Sequence, residues 1–331
     1  MLHKKAIVVD CGVDVSLLRD LKYFQELRRG GVDVAVPTVP VKECINFPSA
    51  VEQIDYYTQI IEDNSEEMLL ATSIDDIRKA VDQEKVAMIL DFQDARPIEQ
   101  SLAFLKAFQK LGIRVIQLTY NSQNFVGSGC CELSCGGLTF FGREVVQELN
   151  RLGIVIDLSH CCDNTTIEAI ELSRDPVIFS HANSRTLCNT LRNKSDDQIK
   201  ALSEKGGVIG VTIFPICVRM EGEPMLSDIL KQIDYLVKLV GVDHVGIGLD
   251  LNRKGVDVGI PSVHYRMWRT LRPDIFGTGP LDKYPSFPKD LERHTDLINV
   301  TRGLVSMGYS DNEIEKILGS NFLRVFEKVW H

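Results

Sequence analysis

Two Ser-His pairs stand out because each one ends a short apolar run. The run GIVIDLSH ends at His160 and the run VIFSH ends at His181, with the helix-compatible segment TTIEAIELSR between them. Short apolar runs are typical of buried parallel strands, which a crossover helix must connect. Both histidines are therefore predicted at the carboxyl ends of neighbouring strands, where two imidazoles can supply half of a metal site. A purely structural role is the alternative for either histidine taken alone.

The rest of the chain alternates strand-like and helix-like segments. Apolar, β-branched runs occur at 6–10, 32–39, 86–92, 114–120, 154–159, 176–180, 207–212 and 244–250. Eight strands alternating with helices predict a (β/α)8 TIM barrel with C-terminal helices, and a doubly wound sheet is the second interpretation. A short extra strand is predicted at 68–71. No linker or internal repeat interrupts residues 1–331, so we predict a single domain.

The helices between these strands have recognisable spacing and ends. Apolar residues at helical intervals, followed by a glycine, predict helices at 101–112, 142–153 and 227–241. Ser310 and Glu313 have the spacing of a capping box at the start of a helix near the C-terminus.

Polar side chains at the carboxyl ends of barrel strands must converge on one face. Those that follow predicted strands are Asp14, Gln93, Tyr120, Asp250, Arg192 and Asn193. Carboxylates and imidazoles from separate strands can bind a divalent ion that activates water, and a nearby aspartate can move the proton. The planar guanidinium of Arg192 suits a substrate carboxylate. The alternative for each acid is a helix cap or a loop salt bridge.

Several of these segments together resemble the membrane (renal) dipeptidase family. GREVVQELNRLGIVIDLSH, PVIFSH, the Arg192–Asn193 pair, VGIGLD and GSNFLRVFEKV follow one another in the family's order. The resemblance implies a TIM barrel of the amidohydrolase type that is usually a homodimer. It also implies a metallopeptidase with two zinc ions that cleaves dipeptides, including those with a C-terminal D-residue.

The resemblance assigns roles to individual positions. His160 and His181 match metal ligands, Asp250 matches the proton shuttle, and Arg192 matches the arginine that holds the substrate carboxylate. Tyr120 occupies the position of a histidine that polarises the scissile carbonyl, and its hydroxyl is still a donor. Asn193, beside the arginine, is included in the predicted substrate-binding set.

Two positions depart from the family's metal pattern. Gly12 stands where the first strand carries a histidine, although the aspartate of that pair is present as Asp14. Gln93 stands where a glutamate bridges the two ions, and a neutral amide bridges two repelling cations poorly. We therefore predict an altered centre: one zinc or other divalent ion on His160 and His181, completed by Gln93, Asp14 or Asp250, with a metal-free site as the alternative.

The glycine-rich loop at 121–138 offers a different chemistry. It carries Cys130, Cys131 and Cys135, and a thiolate there could act as a nucleophile with one of the histidines as base. Such a thiol needs positive surroundings to lower its pKa, and the loop itself contains none.

Composition limits the partners. A net charge of −9 disfavours nucleic acids and anionic membranes, both of which need a basic face. No apolar run is long enough to span a bilayer, and MLHKK leads directly into the first strand. Nine cysteines without regular disulfide spacing favour reduced thiols and a cytoplasmic protein.

Three functions remain open on the sequence alone. The first is a hydrolase acting on a dipeptide or small amide that bears a carboxylate, with an altered metal site. The second is an enzyme that catalyses another reaction on a small amino-acid derivative. The third is a non-catalytic binding protein on the same scaffold, since one fold hosts many functions.

Overall fold

A curled parallel sheet forms the centre of the protein. The computed structural model describes residues 2–14, 16–39, 46–252, 263–283 and 285–330. Within these ranges the strands are β1 Val9–Val13, β2 Val34–Val39, β3 Met68–Leu70, β4 Val86–Met88, β5 Leu90–Phe92, β6 Ile113–Gln117, β7 Val155–Asp157, β8 Ile178–Phe179, β9 Val208–Val211 and β10 Val245–Ile247. Each of the eight predicted strands is present. The extra strand predicted at 68–71 is confirmed as β3.

The strands follow the order expected of a barrel. From β5 to β10 each strand pairs in parallel with the next, and β1 pairs with β2, which joins β4 and β5. The backbone N–H of Asp250, just after β10, donates to the carbonyl of Gly12 in β1 at 2.7 Å. This bond connects the last strand to the first, so the TIM-barrel prediction is confirmed, with β3 appended beside β4.

Helices cover the outside of the sheet. Their bounds are α1 Ser16–Arg19, α2 Leu21–Arg29, α3 Phe47–Asp63, α4 Ile74–Asp82, α5 Leu102–Lys110, α6 Phe140–Leu152, α7 Asp163–Leu172, α8 Asp196–Glu204, α9 Pro215–Val218, α10 Leu226–Val240, α11 Val263–Leu271, α12 Pro273–Phe276, α13 Ile298–Ser306, α14 Asp311–Glu315 and α15 Asn321–Val329. The three helices predicted from spacing are α5, α6 and α10.

Helix ends follow the expected local chemistry. The hydroxyl of Thr139 caps α6 by accepting from the N–H of Gly142, and α6 ends at Gly153 in the left-handed conformation. The predicted capping box at Ser310 and Glu313 is present at the start of α14. A π-helical turn at Lys316–Ser320 then joins α14 to α15.

The barrel interior is closed at its amino-terminal end by α15. The ring of Phe322 is fully buried and packs against the backbone of β9 and β10, where a side chain at Gly246 would come within 2.5 Å of it. Glycine is therefore required at Gly246 for the strand to lie this close to the ring. With one end of the barrel closed, the polar residues of the opposite strand ends face the other end.

A disulfide ties the loop after β6 to the start of α7. Cys135 and Cys162 are bonded although 27 residues separate them in the chain. The prediction that the cysteines are reduced is therefore wrong for this pair. Sequence spacing could not reveal the bond, because only the packing of loop 121–138 across α7 brings the two sulfurs together. The other described cysteines are free thiols, and all of them are buried.

The disulfide gives a prediction about stability. Cys135→Ser should lower the free energy of unfolding by about 2–4 kcal/mol, because the unfolded chain loses a cross-link. Urea unfolding of the variant and of the wild-type protein, with and without reductant, measures the difference. Reductant should destabilise the wild-type protein and leave the variant unchanged. Equal unfolding curves for the wild-type protein in both buffers would contradict the bond.

Candidate active site

The two predicted histidines lie side by side at the carboxyl ends of β7 and β8. His160 and His181 are both buried, and their Nε2 atoms are 3.0 Å apart. The imidazole rings are tilted, with centroids 5.0 Å apart. The sequence prediction that the parallel strands place them together agrees with this arrangement.

Each imidazole is held from behind at its Nδ1 atom. The side-chain oxygen of Asn121 lies 2.7 Å from Nδ1 of His160, and the hydroxyl of Ser180 lies 2.6 Å from Nδ1 of His181. Asn121 was not predicted as a site residue. Its backbone φ of +61° lies in the left-handed region, which asparagine tolerates better than most residues. Backbone strain of this kind clusters at functional sites, so the φ angle marks Asn121 as a site residue once the structure is known.

Gln93 and Gly12 differ in what they contribute to this centre. The Nε2 atom of Gln93 lies 3.1 Å from Nε2 of His181, so the amide reaches the histidine pair. A Cβ atom at Gly12 would lie 3.0 Å from Cβ of His181, which is closer than ordinary van der Waals contact. Any side chain at this position would therefore require a small shift of His181 or of the strand.

Tyr120 lies against His160, and the predicted site residues Asp14 and Asp250 are close enough to act on its phenol. Its ring stacks on that of His160, with centroids 4.3 Å apart. Burial raises the pKa of the Tyr120 phenol, and the carboxylates of Asp250 and Asp14 raise it further against the lowering effect of Arg192. The phenol therefore keeps its proton and remains a hydrogen-bond donor at neutral pH.

Arg192 is a buried cation beside the carboxyl ends of β7 and β8. Its guanidinium donates from Nη1 to the carbonyl of Ser159 at 2.8 Å and from Nη2 to that of His181 at 3.3 Å. In the described part of the chain, no carboxylate lies within salt-bridge distance of it. Only 2% of the residue is exposed, so the positive charge is desolvated without a direct anionic partner.

Asn193 supports the loop that carries Arg192. Its Nδ2 atom donates to the carbonyls of Cys188 and Cys217 at 2.9 and 2.8 Å. Its side-chain oxygen is buried and accepts no hydrogen bond from any described residue. The prediction that Asn193 binds substrate stays a prediction.

Lys194 is a second buried cation that the sequence did not reveal as a site residue. Its ammonium donates to the carbonyls of Leu158 and Cys161 at 2.7 and 3.0 Å. Burial lowers its pKa to about 8. Burial also lowers the pKa of His181, and Arg192 and Lys194 lower it further, so this imidazole is neutral at pH 7.

The same two cations act on Cys130, whose thiol lies 3.9 Å from that of Cys131. Burial alone would raise the pKa of Cys130, but the hydrogen bond with Cys131 and the charges of Arg192 and Lys194 outweigh it and hold the pKa at about 7. The positive surroundings that the loop lacks therefore come from residues after β8. Cys135, the third thiol considered, is bonded to Cys162 and is not available as a nucleophile.

This arrangement predicts an ionisation near neutrality. The thiolate absorbance that Cys130→Ser removes should rise around pH 7 in the wild-type protein, well below the pH at which an ordinary thiol ionises. In Lys194→Met the same rise should move to higher pH, because a cation that stabilises the thiolate is gone. Ultraviolet difference spectra across a pH series measure both. An unchanged midpoint in Lys194→Met would show that the lysine does not influence the thiol.

Comparison with known proteins shows to which family the chain belongs. Residues 7–261 match the model of the membrane dipeptidase family, peptidase family M19. The chain belongs to this family. It is 29% identical to Dipeptidase 3 of Mus musculus over 85% of the chain and 51% of that protein, so it spans about half the length of this relative.

Solved structures agree with the assignment. An amidohydrolase from Pseudomonas aeruginosa shares 33% identity and superposes with a TM-score of 0.88 over 99% of this chain and 98% of that one. A metallopeptidase from Rhodobacter sphaeroides, solved with a phosphinate mimic of L-Ala-D-Ala, has a TM-score of 0.80 at 20% identity, with 98% of this chain and all of that chain covered. The second comparison shows the shared fold.

A membrane dipeptidase is expected to bind divalent metal, so the donor set can be tested for fit. No group of three His, Cys, Asp or Glu side chains suited to a metal ion occurs among the described residues. The Nε2 atoms of the two imidazoles, 3.0 Å apart, nevertheless present their lone pairs to one point, and Gln93 lies beside them with its amide nitrogen nearest. These residues fit one ion. They do not fit two, because Gly12 supplies no donor and Gln93 supplies no bridging charge.

The family is named after membrane proteins, so the length and apolar character of the described helices are relevant. In the described part of the chain, no helix is both long and apolar enough to cross a bilayer. The cytoplasmic location and the homodimer stay predictions.

Proposed function

We propose that the protein is a hydrolase that cleaves a dipeptide or small amide with a free carboxylate, using a single divalent ion instead of the family's pair. The observation that carries the substrate class is the buried guanidinium of Arg192, which has no salt-bridge partner among the described residues. A substrate carboxylate would form a charge-assisted pair with this buried guanidinium.

In the proposed hydrolysis each of three side chains has a separate role. Arg192 holds the substrate carboxylate and so orients the amide against the histidine pair. Tyr120, protonated at neutral pH, donates to the carbonyl oxygen as negative charge develops on it. Asp250 takes a proton from the attacking water and returns it to the leaving amine.

His160 and His181, completed by Gln93 or Asp14, would hold the ion. When bound, the ion supplies a polarised carbonyl and a more acidic water. The low pKa of His181 favours this role, because a metal ligand must be the neutral imidazole. Gln93 must rotate its amide so that the oxygen is the atom presented to a cation, since the nitrogen can only donate.

Metal content tests the single-ion proposal. Protein purified without chelators or a metal-affinity step, then equilibrated with Zn²⁺, should retain about one ion per chain, as a mononuclear catalytic site does. Elemental analysis should find none in His181→Ala and a full ion in the control His244→Ala. His244 is a suitable control because it lies at the start of β10, at the opposite end of the barrel, where it bonds to the carbonyl of Gly207.

Each other result would revise the site. Two ions per chain would show that Gly12 and Gln93 are not lost ligand positions. Retention of zinc in His181→Ala would remove the assignment of that histidine. The absence of zinc from the wild-type protein would overturn metallohydrolase chemistry.

Carboxylate recognition is tested with a matched pair of ligands. L-Ala-D-Ala should bind more tightly than its C-terminal amide by about 2 kcal/mol or more, roughly thirtyfold, because only the acid pairs with Arg192. In Arg192→Met the preference should disappear, whereas Arg219→Met, which removes an exposed arginine, should keep it. Isothermal titration calorimetry measures all of these affinities. An Arg192→Met protein that still prefers the acid would refute the role of the arginine.

The replacement of two ligand positions favours a second candidate. A protein that binds a small carboxylate, or an enzyme that catalyses a reaction other than peptide hydrolysis, needs Arg192 but no metal pair. Carboxylate-selective binding without zinc retention or dipeptide cleavage would support that candidate over the hydrolase.

A further inference from the structure

Behind His181 lies a buried carboxylate that the proposed chemistry does not use. Asp157, at the end of β7, is fully buried. Its Oδ1 accepts from the backbone N–H groups of Ser159 and Ser180 at 3.0 and 2.9 Å and from the Ser159 hydroxyl at 2.6 Å. Its Oδ2 lies 2.6 Å from the Ser180 hydroxyl. Four donor groups therefore surround the two carboxyl oxygens, and Oδ2 has the Ser180 hydroxyl as its partner.

The Ser180 hydroxyl stands between this carboxylate and His181. Its oxygen is 2.6 Å from Oδ2 of Asp157 and 2.6 Å from Nδ1 of His181. A hydroxyl has one hydrogen, and the carboxylate requires it. The serine oxygen must therefore accept from the imidazole, which places the proton of His181 on Nδ1 and leaves the lone pair on Nε2.

The opposite side of the ring leads to the same assignment. The amide nitrogen of Gln93, which can only donate, lies 3.1 Å from Nε2 of His181. That Nε2 atom must therefore accept. The backbone N–H of His181 also donates to the hydroxyl of Ser159 at 3.1 Å, which fixes the residue against the same carboxylate group.

His160 is also held at its Nδ1 atom, but by a neutral amide side chain. The side-chain oxygen of Asn121, 2.7 Å from Nδ1 of His160, can only accept, so the proton lies on Nδ1 there as well. The two supports thus hold both rings with Nε2 turned toward the same point, where the Nε2 atoms are 3.0 Å apart.

We propose that Asp157, acting through the hydroxyl of Ser180, sets the tautomer of His181, so that the two residues position the imidazole and present its Nε2 lone pair to a ligand. Partners that orient a ligating histidine in this way typically change metal affinity by 10–100-fold when mutated. The use made of the lone pair depends on the proposed function. The tautomer itself does not, because it follows from hydrogen bonds in the protein without metal.

The sharpest test reverses the hydrogen-bond direction without changing side-chain size. In Asp157→Asn the amide oxygen should keep the Oδ1 position, because two backbone N–H groups donate there. The amide NH2 then faces Ser180 and donates to it. The serine hydroxyl then turns to Nδ1 of His181 at 2.6 Å in preference to the Ser159 oxygen at 3.0 Å, and the imidazole proton moves to Nε2.

Long-range ¹H–¹⁵N spectra of histidine-labelled, metal-free protein report this directly. Wild-type His181 should show a protonated Nδ1 and a lone-pair Nε2, and Asp157→Asn should show the reverse. Zinc affinity, measured by calorimetry with Zn²⁺ alone, should fall by roughly 10–100-fold in Asp157→Asn and Ser180→Ala. Ser180→Thr, which keeps the hydroxyl, should retain both the wild-type tautomer and the affinity.

A matched control separates positioning from general loss of structure. Ser173 is also buried and uses its hydroxyl in hydrogen bonds, to Asn150 and to the carbonyl of Asp175. Ser173→Ala should cost stability without altering the His181 tautomer. If Asp157→Asn or Ser180→Ala fails to fold, the wild-type spectrum and Ser180→Thr still decide the tautomer.

The outcomes distinguish this proposal from the proposed function. A wild-type His181 protonated on Nε2, or an unchanged tautomer in folded Ser180→Ala and Asp157→Asn, would overturn the positioning role. A wild-type protein with the expected tautomer that binds no zinc would support the positioning role and overturn the single-ion hydrolase.

Discussion

The chemistry of this protein depends on hydrogen bonds that hold two imidazoles against each other at the ends of adjacent parallel strands. His160 and His181 reach the same point because β7 and β8 are neighbours and each histidine lies two or three residues beyond the end of its strand. Once buried, the rings cannot rely on water to satisfy their Nδ1 atoms. Asn121 and Ser180 satisfy them instead, and in doing so orient both Nε2 atoms.

Two buried cations near the strand ends form no ion pair with a described residue. Arg192 and Lys194 are both buried and donate mainly to backbone carbonyls, so much of their field remains available to their neighbours. Burial keeps His181 neutral and that field adds to the effect, and the same field stabilises the thiolate of Cys130. A carboxylate ligand at Arg192 would meet a local positive charge, although the protein as a whole carries a net charge of −9.

The departures from the family's metal pattern are structural as well as chemical. Gly12 lacks a ligand, and the position of its missing side chain is crowded by His181. Gln93 contacts His181 through an amide that a carboxylate could not replace without changing the charge of the pair. Under the proposed function, the site keeps the residues assigned to hold and protonate a substrate, and it offers a different set of metal ligands.

The sequence by itself determined the parallel barrel, the family and the convergence of the histidines with Tyr120, because these follow from local apolar periodicity and from motifs that each occupy a short stretch. Only the tertiary structure decided how remote segments meet. It showed the Cys135–Cys162 bond and the crowding at Gly12. It also assigned neighbours to the histidines and the loop thiol, namely Asn121, Asp157, Ser180 and Lys194. Most of these contacts join residues that are far apart in the chain, and their distances depend on how the strands and loops pack in the barrel, which no local pattern encodes.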